Sequence, residues 1–191
     1  MRAAAAEAKR ARVLEAAGRL LREEAIAAFS LDAVAKEAGV TRLTVYNQFG
    51  SRRGLFEALF DQRALQGGLT RIPEAMALSD PNAALDRVVA IFCGFWGTDP
   101  ALGRLHDAMV LDPEFAQALG ERNERRRRLV TVLLERMAGM SSAERLGAAD
   151  LIFSLTSYAV FRMLSHGGRS TEQVCELLQS ACRAVCAPTP T

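Results

Sequence analysis

Several features of an enzyme or a membrane protein are missing from this 191-residue chain. It has two histidines and no zinc-protease histidine pair. It has no Gly-x-Ser-x-Gly nucleophile turn and no phosphate-cradling Gly-x-x-x-x-Gly-Lys. Its four cysteines include no Cys-x-x-Cys, so neither a metal nor a cofactor is expected, and no catalytic residue is assigned. His106 adjoins Asp107, but neighbours on a helix point about 100° apart and make no dyad by sequence position alone. No apolar run reaches the roughly 18 residues of a membrane span, and the greasiest stretch, Leu151 to Leu164, is cut by Arg162. The N-terminus, MRAAAAEAKRARV, lacks the apolar centre of a signal peptide, and a cytoplasmic location is expected. An enzyme is not expected.

Half of the residues are hydrophobic, enough for a sizeable core. The net charge of +2 is unevenly spread: residues 1–55 hold ten Lys or Arg against six Asp or Glu, and the remainder holds fourteen against sixteen. The basic excess therefore lies in the first third, the weak electrostatic footprint of a small unit that meets phosphates.

That third contains the most informative stretch, SLDAVAKEAGVTRLTVYNQFGSRRGL, from Ser30 to Leu55. Leu31, Val34, Ala35 and Ala38 fall at helical spacing, Gly39 supplies a turn, and Val40, Leu43, Val45 and Phe49 resume the period. Ala35 is small enough for two helices to cross closely, and Gly39 can take the left-handed conformation that a Cβ disfavours. Thr41 stands where an N-cap is needed, its hydroxyl placed to accept from a backbone N–H near Thr44. The second helix then presents Arg42, Leu43, Thr44, Tyr46, Asn47 and Gln48, side chains that meet phosphates and base edges. This is a helix-turn-helix pattern.

A wider run joins it: Ala16-Ala17-x-x-Leu20-Leu21, Val34-Ala35-x-x-Ala38-Gly39-Val40-Thr41 and Val45-Tyr46-x-x-Phe49-x-Ser51-Arg52-x-x-Leu55. From about Arg12 to Leu59 this resembles the N-terminal DNA-binding domain of the TetR family of transcriptional regulators. The resemblance implies an all-α protein, with a three-helix DNA-binding domain at residues 1–50 and a helical effector-binding and dimerisation domain at residues 51–187. It also implies a homodimer through the last two helices, binding a palindromic double-stranded operator and releasing it when a small-molecule effector is bound. Arg42 and Thr44 are then the expected base contacts, and Leu43 meets a thymine methyl. Thr41, Tyr46, Asn47, Gln48 and Arg52 are expected mainly at phosphates, Arg52 standing where the family usually has lysine. One departure is Ala25, where relatives usually end helix one with glycine; here Gly18 lies inside that helix instead.

The other elements follow from periodicity. Helix one is expected at about Ala5 to Ala25, preceded by an arm that shares the basic residues Arg2, Lys9, Arg10 and Arg12. Ser51 is a plausible N-cap for a longer helix reaching Gly67-Gly68, and Arg71 to Pro81 reads as a connector. Helices follow at about Asn82 to Gly97, after Asp99-Pro100, from Pro113 to about Met137, from Ser142 to His166 and from Thr171 to Cys186. The run Arg125 to Arg128 reads as a solvated face, with Glu121 and Glu124 placed to pair at i, i+4. The Ser142 to His166 segment is apolar on two sides, which suits one inward face and one face against a second copy.

The effector candidates are Phe92, Phe95, Trp96, Met109, Phe115, Phe153, Tyr158 and Phe161, with Arg162 among the scarce polar handles and a largely hydrophobic ligand expected. Cys175, Cys182 and Cys186 share a helical face; buried packing is their usual role, and a thiol switch is the sharper alternative. A helical dimeric interaction protein governed by a protein partner or by thiol oxidation is the competing functional reading.

Overall fold

Helix α1 (Arg2–Glu23) carries Val13, Leu14, Ala16, Ala17, Leu20 and Leu21 on one buried stripe, the 3–4 spacing that makes an amphipathic helix. The computed structural model describes residues 2–23, 29–111 and 113–187, and among these every regular element is helical. Ala25 and the end of the first loop lie outside the described residues. The chain from Arg2 onward is already helix, so the expected basic arm is instead the first turns of α1.

Two compact units emerge, residues 1–64 with 99–118 and residues 65–98 with 119–191. The first contains α1, α2 (Leu31–Glu37), α3 (Arg42–Phe49), most of α4 (Arg52–Gln66) and α7 (Ala101–Leu111). It thus extends past residue 50 and gathers a segment from much later in the chain.

A charged cluster lies inside this unit. Arg22 Nη1 donates to Asp99 Oδ2 at 2.9 Å, and Arg63 Nε lies 3.1 Å from the same oxygen. Glu15 completes the group, 3.3 Å from Arg22 and 3.6 Å from Arg63. The side chains of Arg63 and Asp99 are only 8% and 9% exposed, so each charge needs the other. The second Asp99 oxygen accepts from the Ala101 N–H at 2.8 Å and starts α7. Gly18 is the local consequence: a Cβ there would overlap the Arg63 guanidinium, which explains a glycine in the middle of a helix.

The second unit is built around α6 (Pro81–Thr98), which is buried on two sides. Leu85, Val89 and Cys93 join Leu133 and Leu134 of α8 (Pro113–Glu135), Ile152 of α9 (Ser142–Leu155), Phe161 of α10 (Tyr158–Ser165) and Val174 and Leu178 of α11 (Thr171–Cys186). On its other side, Val88, Ile91 and Phe92 pack with Ala75 of α5 (Ile72–Met76).

Two expectations are corrected here. The connector at Arg71 to Pro81 holds a 3-10 turn, Leu69–Arg71, and then α5, whose second residue is Pro73, where a missing N–H removes no bond. The single helix expected from Ser142 to His166 is two. Thr156 donates its hydroxyl back to the Ile152 carbonyl at 2.8 Å, and Ser157, with an extended backbone, accepts from Val160 N–H to cap a new helix. Serines 141 and 170 begin α9 and α11 with capping boxes closed by Glu144 and Gln173.

Replacing Asp99 by Asn leaves the buried Arg63 without its closest counter-charge. The expected loss is about 3 kcal/mol of unfolding free energy in urea titration, against about 1 kcal/mol or less for Glu15→Gln, because Glu15 is half exposed.

Candidate nucleic-acid interface and effector region

The turn and the second helix of the helix-turn-helix form for the local reasons the residues suggest. Ser30 caps α2 by accepting from Ala33 N–H at 3.1 Å. Gly39 takes φ +64°, the left-handed value the turn requires. Thr41 is extended at φ −79°, ψ 152° and caps α3, its Oγ1 accepting from Thr44 N–H at 3.2 Å.

Only one side of α3 is covered. Val45 and Phe49 point inward, while Arg42, Leu43, Tyr46 and Asn47 stand in solvent. Leu43 is 65% exposed and Tyr46 56%, so two large side chains stand on the uncovered face of α3. Thr44 and Gln48 are half-buried. The Thr44 hydroxyl lies 2.9 Å from that of Thr41, so the two share a hydrogen bond at the start of the helix. Arg42 reaches Asp32 at 3.5 Å, a loose surface pair whose both side chains are more than half exposed.

Arg52 is half-buried, its guanidinium 5.0 Å from the Phe56 ring centroid and 5.9 Å from that of Phe29. Phe29 and Phe56 themselves stack at 4.6 Å. Arg10, expected in the arm, instead lies over Phe49 at 4.6 Å and donates to the Gln48 carbonyl at 3.4 Å. It thereby steadies the last turn of α3, a role that no local sequence signal announces.

The junction from α3 to α4 is tight. Gly50 has φ +72° and closes α3, and Ser51 Oγ accepts from Gly54 N–H at 3.0 Å to cap α4 as expected. A Cβ on Gly54 would overlap the Phe49 carbonyl oxygen, so α4 can begin this close to α3 only with glycine there.

The effector candidates divide by burial. Phe95 is 1% exposed and Phe161 6%, and both pack as core. The side chains of Met109 and Phe115 lie outside the described residues. Trp96, Phe153 and Tyr158 are half-buried, with Trp96 and Tyr158 rings 5.4 Å apart, and Arg162 is exposed, 5.8 Å from the Tyr158 ring. Phe92 is buried, at the side of α6 that faces α5. An open groove lined by Glu74, Leu78, Asp86, Arg87 and Gln179 includes none of these aromatics.

Sequence reasoning placed Arg126 on a solvated face. Four successive residues of a helix span about 300°, so four arginines cannot all point outward. Arg126 turns in, 4.3 Å from the Phe153 centroid and 5.8 Å from that of Phe92. Its Nη1 donates to the Thr156 carbonyl at 2.6 Å, an oxygen that also accepts from Trp96 Nε1 at 3.0 Å. Burial, and next the nearby Arg127 charge, lower its pKa to about 10.

The cysteines pack as small hydrophobes. Cys182 is buried and its thiol is pushed up to about 12 by burial, and burial also raises Cys186. Cys93 of α6, which sequence spacing did not group with them, shares a hydrogen bond with Cys175; that bond, then burial, raises the Cys93 thiol, and the same bond lowers Cys175.

The fold and the uncovered face of α3 together define a class: proteins whose described elements are all helical, with an N-terminal helix-turn-helix unit and a second, larger helical unit. Residues 13–59 match the family described as "Bacterial regulatory proteins, tetR family". A relative, the HTH-type transcriptional regulator EthR of Mycolicibacterium smegmatis, is 33% identical over 112 residues, 57% of this chain and 51% of EthR. The chain therefore matches about half the length of that curated relative. Among solved structures, a TetR-family protein of Syntrophomonas wolfei aligns with TM-score 0.76 at 14% identity, covering 94% of this chain and 95% of that one. A TetR-like regulator of Rhodococcus sp. RHA1 aligns with TM-score 0.72 at 21% identity, covering 92% and 93%. NalD, the secondary repressor of the MexAB-OprM multidrug efflux pump in Pseudomonas aeruginosa, aligns with TM-score 0.70 at 22% identity, covering 94% and 96%. Residues 13–59 thus match the TetR family's N-terminal model, and the fold is that of the TetR-type structures to which it is similar.

Gly54→Ala should lower unfolding stability by about 1–3 kcal/mol, because the first turn of α4 must move away from the Phe49 carbonyl. Differential scanning calorimetry beside the native chain measures it; an unchanged melting temperature would refute the steric account.

Proposed function

We propose that the chain is a homodimeric, ligand-responsive transcriptional repressor that acts in the cytoplasm on a palindromic operator. The observation that carries this reading is the uncovered face of α3, where Leu43 and Tyr46 stand more than half exposed beside Arg42 and Asn47. Arg42 supplies a fork of donors suited to guanine, Leu43 an apolar contact for a thymine methyl, and Tyr46 and Asn47 hydrogen bonds to phosphate. Thr41 and Thr44 contribute at the first turn of α3, where the N-terminal end of a helix favours phosphate. Gln48 and Arg52 complete the expected contacts.

Two copies bring two such helices to successive major grooves about 34–36 Å apart. The second copy is expected against α9, α10 and α11, where Leu146, Leu151, Met163 and Leu177 are left in solvent, exposed by 67%, 54%, 67% and 46%. A small, largely apolar effector bound among the helices of the second unit favours a dimer whose recognition helices have the wrong separation for DNA. Helix α4 is the covalent route for that change, since it begins beside α3 and ends where the second unit starts.

An electrophoretic shift with the DNA flanking its own gene tests the reading, with specific binding that weakens steeply with salt as the expected result. Tyr46→Ala should weaken that binding by about tenfold while leaving the melting temperature unchanged, since Tyr46 is mostly in solvent. Specific retention of none of these fragments by the native chain would remove the regulator reading.

A further inference from the structure

Arg126 and Arg127 flank the same ring, that of Phe153, at 4.3 and 4.4 Å, yet their charges are handled differently. Arg127 is paired with Asp150 and lies 3.8 Å from Glu124. Among the described residues no carboxylate pairs with Arg126. Its contacts are the Thr156 carbonyl and, at 3.5 Å, Asn123 Oδ1, and its Nε is buried without an acceptor.

A packing role alone does not account for this. The Thr156 carbonyl already accepts from the Trp96 indole, so the guanidinium is not needed to satisfy it. A methionine would fill the space between Phe92 and Phe153 without the desolvation of a charge. What only arginine supplies is a permanent positive fork, half-buried among rings and, among the described residues, lacking a counter-charge. It remains protonated at neutral pH, because the lowered pKa is still about 10.

We propose that Arg126 binds the carboxylate of an effector whose apolar body lies against Phe153 and Trp96. This rests on the reading above that the second unit takes a small-molecule ligand, and it adds the ligand's charge and its anchor. The carboxylate supplies the missing counter-charge and accepts from the guanidinium in the planar geometry the two groups share. The surrounding rings exclude water and strengthen that attraction.

The test uses decanoate, 4-phenylbutyrate and 1-naphthoate, each beside its primary amide, titrated calorimetrically into the full chain and into Arg126→Met. At least one acid should bind the native chain about tenfold more tightly than its amide, and that ratio should fall below about threefold in the methionine variant. If none of the acids is preferred to its amide, or if the preference survives in Arg126→Met, the proposal is overturned. A purely structural role would lower the melting temperature of the variant and leave the ratio unchanged. Should Arg126→Met fail to fold, Arg126→Lys decides instead: charge without the fork should give an intermediate ratio, and the native ratio would overturn the assignment. Operator binding by the native chain, measured on the same preparation, separates this from the regulator reading, since an acid preference without operator binding sinks only the latter.

Discussion

The carboxylate of Asp99 between the guanidiniums of Arg22 and Arg63 is the contact on which the first unit depends. Two nearly buried charges must be matched within that unit, and the match joins α1, α4 and the start of α7 although the residues are as much as 77 positions apart in the chain. Such a cluster adds little net stability over an apolar core, because desolvation offsets the attraction. What it contributes is specificity of arrangement: any other packing of α1 on α4 leaves a charge stranded. Gly18, costly in a helix interior, is tolerated because it makes room for the Arg63 guanidinium.

From this frame the recognition helix inherits its position. Val45 and Phe49 anchor α3 from beneath, Arg10 of α1 lies over Phe49, and Gly54 lets α4 start against the last carbonyl of α3. The buried anchors are all on one side, so the other carries Leu43 and Tyr46 in solvent at a modest hydrophobic cost. The face that the proposed function assigns to DNA is the one the core leaves uncovered.

The second unit is organised differently. Helix α6 is apolar on two sides and takes partners on both, so the other helices arrange themselves around it. The interruption at Thr156 and Ser157 sends α10 off in a new register and leaves a carbonyl that Trp96 and Arg126 both reach. A polar point thus sits within an aromatic neighbourhood, the ordinary composition of a ligand site.

Local physics made much of this legible. Caps at Thr41, Ser51 and, within a residue, α11, the left-handed glycine at 39, and the spacing of Val34, Ala35, Val45 and Phe49 are short-range facts, and each is met by the structure. The helix-turn-helix follows from them, while the all-helical class was what the resemblance to the TetR family implied. Long-range partners were not legible. Nothing near Asp99 in the chain announces Arg22 or Arg63, nothing near Phe49 announces Arg10, and the arginine run looks uniform until a tertiary neighbour distinguishes Arg126 from the rest. Even the Ser142 to His166 break rests on two hydroxyl residues whose caps compete with a continuous apolar pattern. Periodicity, caps and turns are decided within a few residues, so the sequence by itself determined the helix-turn-helix and which side chains α3 leaves in solvent. Which charges are buried, and which side chains lack partners, depends on segments up to 77 residues apart, and only the tertiary structure decided them.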